Sequence, residues 1–164
     1  MKTLFQWKKK PFSKTYKIYH KDQLIGRLTD RPFSLSTEGA FSEGRLLFKS
    51  SGFFKQKTTL IHNPDRRVIG HLFYHRWKRT ATLTLVDRTL DWQYDDFWNT
   101  RWRMTDTEGK TLQYKGTPAS GWIQSPTEDP LLLLTGLYVA HYHRKRTAAV
   151  VFIALIPIWV TLLG

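Results

Sequence analysis

The stretch that decides the fold is Asp129–Arg146, "DPLLLLTGLYVAHYHRKR". Asp129 is a good N-cap and Pro130 a good first helical residue, so a helix starts here. Residues 131–140 are apolar on nearly every side, and such a helix is stable only where apolar material surrounds it. Arg144, Lys145 and Arg146 follow, where cations complement the negative end of a helix dipole. The question is therefore what encloses residues 131–140.

The preceding residues supply an answer. In Thr80–Leu85 threonine alternates with an apolar residue. Leu90, Trp92 and Tyr94 alternate with Asp91, Gln93 and Asp95. Trp102 and Met104 alternate with Arg101, Arg103 and Thr105, and Leu112 and Tyr114 with Thr111, Gln113 and Lys115. A period of two puts one set on an inner face and the other in water. Three units read strand, polar turn, strand: YKIYHKDQLIGRLTD, TTLIHNPDRRVIGHLFY and RWRMTDTEGKTLQYKG. About ten or more such strands imply an antiparallel sheet closed into a barrel or folded into a sandwich, and the helix that is apolar all round needs the enclosure that a closed sheet provides. The expected fold is mainly β: a closed antiparallel barrel of about twelve strands around a late apolar helix, wide enough for a helix of roughly 10–12 Å. Residues 1–143 would form the barrel domain with its central helix at about 130–143. Residues 144–164 would add a basic flank and a C-terminal apolar helix.

This pattern, over roughly residues 14–143, resembles the tubby-like barrel superfamily, which includes the LURP-one-related proteins and the phospholipid scramblases. The matching features are "DQLIGRL" (22–28), "DRRVIGHL" (65–72), "WRMTDTEGKTL" (102–112) and the helix PLLLLTGLYVAHY (130–142). The resemblance implies a twelve-stranded barrel around a central helix and, for some members, phosphoinositide or phospholipid contact through a basic patch. No headgroup residue of tubby proteins is carried onto this chain, and the calcium-site pattern of scramblases is not evident. Family chains often stop soon after the central helix, whereas this one adds Arg144–Gly164.

That addition has no charge from Thr147 to Gly164. At ~1.5 Å per residue it reaches about 27 Å as a helix, close to a bilayer's apolar thickness. With cations only on its N-terminal side, it is expected to be a single-pass membrane anchor that leaves the barrel in the cytoplasm. The alternative is a soluble, cytoplasmic barrel whose C-terminal apolar segment is buried as core.

The 164 residues carry 26 Lys plus Arg against 13 Asp plus Glu. Such a surface meets anionic partners. The candidate headgroup-binding residues are Lys8, Lys9 and Lys10; Arg66 and Arg67; Arg76, Lys78 and Arg79; and Arg144, Lys145 and Arg146. The expected partner is an anionic phospholipid membrane, with a membrane protein as a further possibility. Nucleic acid or an acidic protein is the alternative. Trp77 and Trp102, each flanked by cations, could stack bases, but Trp102 on a strand would face inward, away from its arginines.

The chain has no cysteine, which excludes disulfides, zinc-thiolate sites and a cysteine nucleophile. His71 and His75 lie in a strand, His141 and His143 diverge on a helix, and neither pair makes a metal set. No nucleophile elbow or phosphate loop occurs. No cofactor is expected, and the reading favours a non-enzymatic protein.

Overall fold

The computed structural model describes residues 1–31, 36–51, 56–75 and 77–163, with side chains of the C-terminal helix as far as Thr147 and at Leu155. Twelve strands run in chain order: β1 (Thr3–Lys8), β2 (Thr15–His20), β3 (Gln23–Asp30), β4 (Ser36–Phe41), β5 (Gly44–Ser50), β6 (Lys57–Asn63), β7 (Arg67–His75), β8 (Thr80–Leu85), β9 (Thr89–Tyr94), β10 (Arg101–Asp106), β11 (Thr111–Gly116) and β12 (Ser120–Ser125). Each pairs antiparallel with its sequence neighbours, and β1 pairs with β12 over Thr3↔Ser125 to Lys8↔Ser120, closing the barrel. Closure removes every free edge. Residues in the left-handed region, Lys21 and Asp22 between β2 and β3 and Gly109 between β10 and β11, make the tight turns.

The alternation read from the sequence is the alternation of the barrel wall. Ala81, Leu83, Leu90, Trp92, Trp102, Met104, Leu112 and Tyr114 are buried. They meet across strands in register: Ala81↔Trp92, Trp92↔Met104, Trp102↔Tyr114 and Met104↔Leu112. Inside lies the helix α1 (Pro130–Leu163), with Leu132, Leu133, Leu134, Leu137, Tyr138, Val139 and Ala140 buried. Asp129 Oδ1 accepts from the Leu131 N–H at 3.0 Å, as an N-cap should. Buried Thr135 returns its hydroxyl to the Leu131 carbonyl at 2.6 Å, which removes its need for a partner in the wall.

Polar atoms of wall residues fix the depth and rotation of the helix. The indoles of Trp92 and Trp102 both donate to the Gly136 carbonyl at 3.1 Å. The Tyr114 hydroxyl donates to the carbonyls of Leu132 (3.0 Å) and Leu133 (3.3 Å). On the other side of the helix the Tyr138 hydroxyl meets Ser50 Oγ at 3.0 Å and Thr58 Oγ1 at 3.2 Å, and Thr58 also meets the Tyr74 hydroxyl at 2.7 Å. Tyr138 stacks on Phe48 at 4.3 Å, and Tyr142 stacks on Tyr74 at 3.9 Å.

Two expectations change. The helix does not end at residue 143. It continues without a break to Leu163, so Arg144–Arg146 lie within it and not at its dipole end. The cause is chemical: no glycine or proline follows directly on Arg146, and Thr147, Ala148 and Ala149 are compatible with helix. The single-pass anchor that would hold the barrel at the cytoplasmic face of a membrane is likewise corrected. Among the described residues no helix is long and apolar enough to cross a membrane. The stretch is not an independent element: it prolongs a helix whose first part is sealed inside the barrel and whose middle is charged. The side chains at 148–154 and 156–164 lie outside the described residues.

Candidate basic mouth of the barrel

Strand direction decides where each turn lies. The strands alternate in direction, so connections after odd-numbered strands gather at one end and connections after even-numbered strands at the other. The helix follows β12 and enters at the even end. There Arg88, in the turn after β8, holds Asp129 at 2.8 Å. It leaves at the odd end, where Lys145 holds Asp30, the last residue of β3, at 3.2 Å.

The same parity sorts the basic clusters. Lys9 and Lys10 follow β1, Lys78 and Arg79 follow β7, and Arg144–Arg146 leave with the helix, so all belong to the exit end, with Lys8 at the margin of the wall. Arg66 lies in the turn between β6 and β7 and Arg67 opens β7, so both belong to the entry end, apart from the others. Arg76 lies outside the described residues. The acids divide the opposite way. Asp22, Glu43, Asp65, Asp87, Glu108 and Asp129 belong to the entry end, whereas Asp30, Asp95 and Asp96 are at the exit end. The barrel is thus electrically polar along its axis.

Aromatic rings hold the cations at the exit end. Lys9 Nζ is 5.6 Å from the centre of the Tyr16 ring, Arg79 lies 4.8 Å over Tyr94, and Arg144 lies 5.4 Å over Trp102. Such contacts are each worth about 0.5–1 kcal/mol at exposed sites. Burial pushes the Tyr94 phenol up, with Arg144 and Arg79 opposing it. Beneath them sits His143, 9% exposed. Its ring stacks against Trp92 at 5.1 Å and meets Tyr74 edge-on at 5.8 Å. Burial first, then the charges of Arg79 and Arg146, lower its pKa to about 4, so the imidazole is neutral at pH 7. Phe12, Trp77, Phe97 and Trp98, in connections at this same end, are largely exposed. Trp77 and Lys78 also border a cleft of about 670 Å³ with Gln56, His75 and Thr80.

One chain of contacts has the order of a proton relay. The Tyr16 hydroxyl is 3.5 Å from His141 Nδ1, and His141 Nε2 is 3.3 Å from Asp30 Oδ2. Its chemistry runs the wrong way for a nucleophile, because burial pushes the Tyr16 phenol up, against the opposing pull of Arg144. The chain ties helix to wall.

Sequence reasoning identified the cations but not their grouping, and it missed His143, Tyr94 and Tyr16 as members of the mouth. Trp102 faces inward as expected, yet Arg144 reaches it from the helix. Its neighbours Arg101 and Arg103 instead hold Asp96 and Asp95. No family model, no curated protein and no solved structure matches the chain.

Proposed function

We propose that this chain is a non-enzymatic, tubby-like barrel that binds an acidic macromolecule, nucleic acid or an acidic protein, through its helix-exit end. The observation that carries the reading is the convergence of cations from three distant parts of the chain on one end, while most turn acids go to the other. A surface of this kind attracts polyanions over roughly a Debye length, about 8–10 Å at ordinary salt. The exposed rings of Phe12, Trp77, Phe97 and Trp98 beside these cations favour single-stranded nucleic acid within that class, since aromatic faces stack bases without regard to sequence.

The test is binding of the full chain to a labelled oligothymidylate and to polyglutamate across a salt series, by fluorescence anisotropy. About four phosphate contacts to a single strand would weaken binding roughly 50-fold between 50 and 200 mM salt. Reversing Lys78 and Arg79 to Glu should weaken binding strongly, and reversing Arg66 and Arg67 should leave most of it. Salt-independent binding, or equal losses from both reversals, would sink the proposal. Binding confined to anionic phospholipid vesicles would move the partner to lipid headgroups and overturn the macromolecular reading.

A further inference from the structure

The acids at the exit end are already engaged. Asp30 is held by His141 and Lys145, Asp95 by Arg103 at 3.3 Å, and Asp96 by Thr100 and by Arg101 at 3.9 Å. Arg79, Arg144 and Arg146 differ: among the described residues none of them has a carboxylate within ion-pairing distance. Arg79 and Arg144 are also close together. Arg79 lies over Tyr94 and Arg144 over Trp102, and those two rings are only 6.4 Å apart. Arg79 and Arg144 both act on the Tyr94 phenol, and Arg79 and Arg146 both act on His143. Like charges gathered on neighbouring rings repel one another, and the acids that act on the same phenols, Asp96 on Tyr94 and Asp30 on Tyr16, are themselves held by Arg101 and by His141 and Lys145.

A second observation points to the same place. The Nε2 atom of His143 is buried and has no hydrogen-bond partner. Aromatic rings of Trp92, Tyr74, Tyr94 and Tyr142 surround that imidazole, and the charges that act on it are the cations Arg79 and Arg146. A buried polar atom without a partner is unfavourable and is rare in native proteins.

We propose that the mouth is a phosphate site, in which Arg79 and Arg144 take one phosphate group over the rings of Tyr94 and Trp102, beside His143. The inference rests on the polyanion reading and deepens it by naming where one phosphate of the partner is seated. Phosphate suits the residues better than a single carboxylate does. Guanidinium groups bind its oxygens in pairs, and a tetrahedral phosphate offers its oxygens in more directions than a planar carboxylate, so two guanidinium groups can engage it together. The site stands on a closed barrel and its core helix, so its groups are pre-organised.

The experiment uses the full chain and inorganic phosphate, with chloride at matched ionic strength as control. Binding is read by calorimetry and by the NMR titration of the His143 ring. Saturable binding of one phosphate is expected, with the His143 midpoint moving up from about 4 because a nearby anion favours imidazolium. Arg79→Gln and Arg144→Gln should each weaken phosphate by about tenfold or more. The pair Arg66→Gln and Arg67→Gln should not. If a Gln variant fails to fold, the matching Lys variant keeps the charge and loses the paired geometry, and it should still bind more weakly. Competition by oligothymidylate would identify a nucleic-acid phosphate as the source, and competition by short-chain phosphatidic acid a lipid phosphate. Displacement of phosphate by polyglutamate alone would overturn the assignment. If oligothymidylate binds with its full salt dependence while phosphate leaves His143 unmoved, the phosphate site is refuted and the broader reading stands. Loss of both refutes both.

Discussion

At the scale of the residue, two titrating groups at the exit end divide the acid range between them. His143 is held neutral by burial and by Arg79 and Arg146, with a pKa of about 4 against about 6.5 when unfolded. The unfolded chain therefore binds more protons between those values, and stability falls as the pH drops through that window. The loss reaches as much as about 3 kcal/mol at pH 4. Urea unfolding followed from pH 7 to 4 should show this slope, and His143→Phe should flatten it; an unchanged slope would mean that His143 is not buried as described. Asp30 acts lower. Burial alone would raise its carboxyl, but the His141 hydrogen bond and charge, with Lys145, outweigh burial and hold it at about 2. Its stabilisation is complete above the unfolded pKa of about 3.9 and vanishes as the pH falls through about 2. Allowing for solvent screening, Asp30→Asn should cost about 1 kcal/mol at pH 7, and the gap to the native chain should close between pH 4 and 2. A gap that stays constant over that range would remove the ionic part of the explanation.

At the scale of the element, the central helix is specified by one small residue. A Cβ at Gly136 would lie 2.2 Å from both the ring carbon and the hydroxyl of Tyr114. Tyr114 cannot retreat, because it is buried and stacked on Trp102 at 5.6 Å. Gly136→Ala should therefore break the contacts of Tyr114, Trp92 and Trp102 with the helix backbone and destabilise the protein by about 3 kcal/mol or more. Tyr114→Phe should not rescue it, since the ring carbon stays in place; adding Tyr114→Leu should recover part of the loss. Additive losses from Gly136→Ala and Tyr114→Leu in a thermal unfolding cycle would show that the two do not meet. The start of this helix was legible, because Asp129, Pro130 and the leucine run are local signals. Its continuation was not. A block of cations reads as a helix end when dipoles alone are weighed, but a helix stops only where the backbone is interrupted, and nothing directly after Arg146 interrupts it. The lining of β4 was equally hidden. Thr37 and Gly39 do not look like core, yet Gly39 faces inward because Leu134 fills the space beside it: a Cβ at Gly39 would lie 3.3 Å from Cδ1 of that leucine.

At the scale of the molecule, the count of strands was what the sequence left open, and the grouping of the cations depends on it. Each strand reverses the chain, so whether a turn sits at the helix entry or exit depends on the parity of all strands before it. Arg66–Arg67 and Lys78–Arg79 are near in sequence but separated by one strand, β7, and so fall at opposite ends. The same topology fixes the order of assembly. Eleven of the pairings join consecutive strands, and only β1–β12 brings together the two ends of the sheet. Closing a long loop costs more entropy than closing a short one, so this pairing is expected after the others. Its members should then be absent from the folding transition state. Ile123 is fully buried and sits opposite Phe5 across the seam. Ile123→Val should destabilise by about 0.5–1.5 kcal/mol, appearing as a roughly 2- to 12-fold faster unfolding rate with folding almost unchanged. Leu83, paired with Leu72 and Leu90 inside consecutive hairpins, provides the contrast: Leu83→Ala should slow folding as well. Stopped-flow chevrons of both variants decide the matter, and equal slowing of folding by the two would show that the seam is already closed in the transition state.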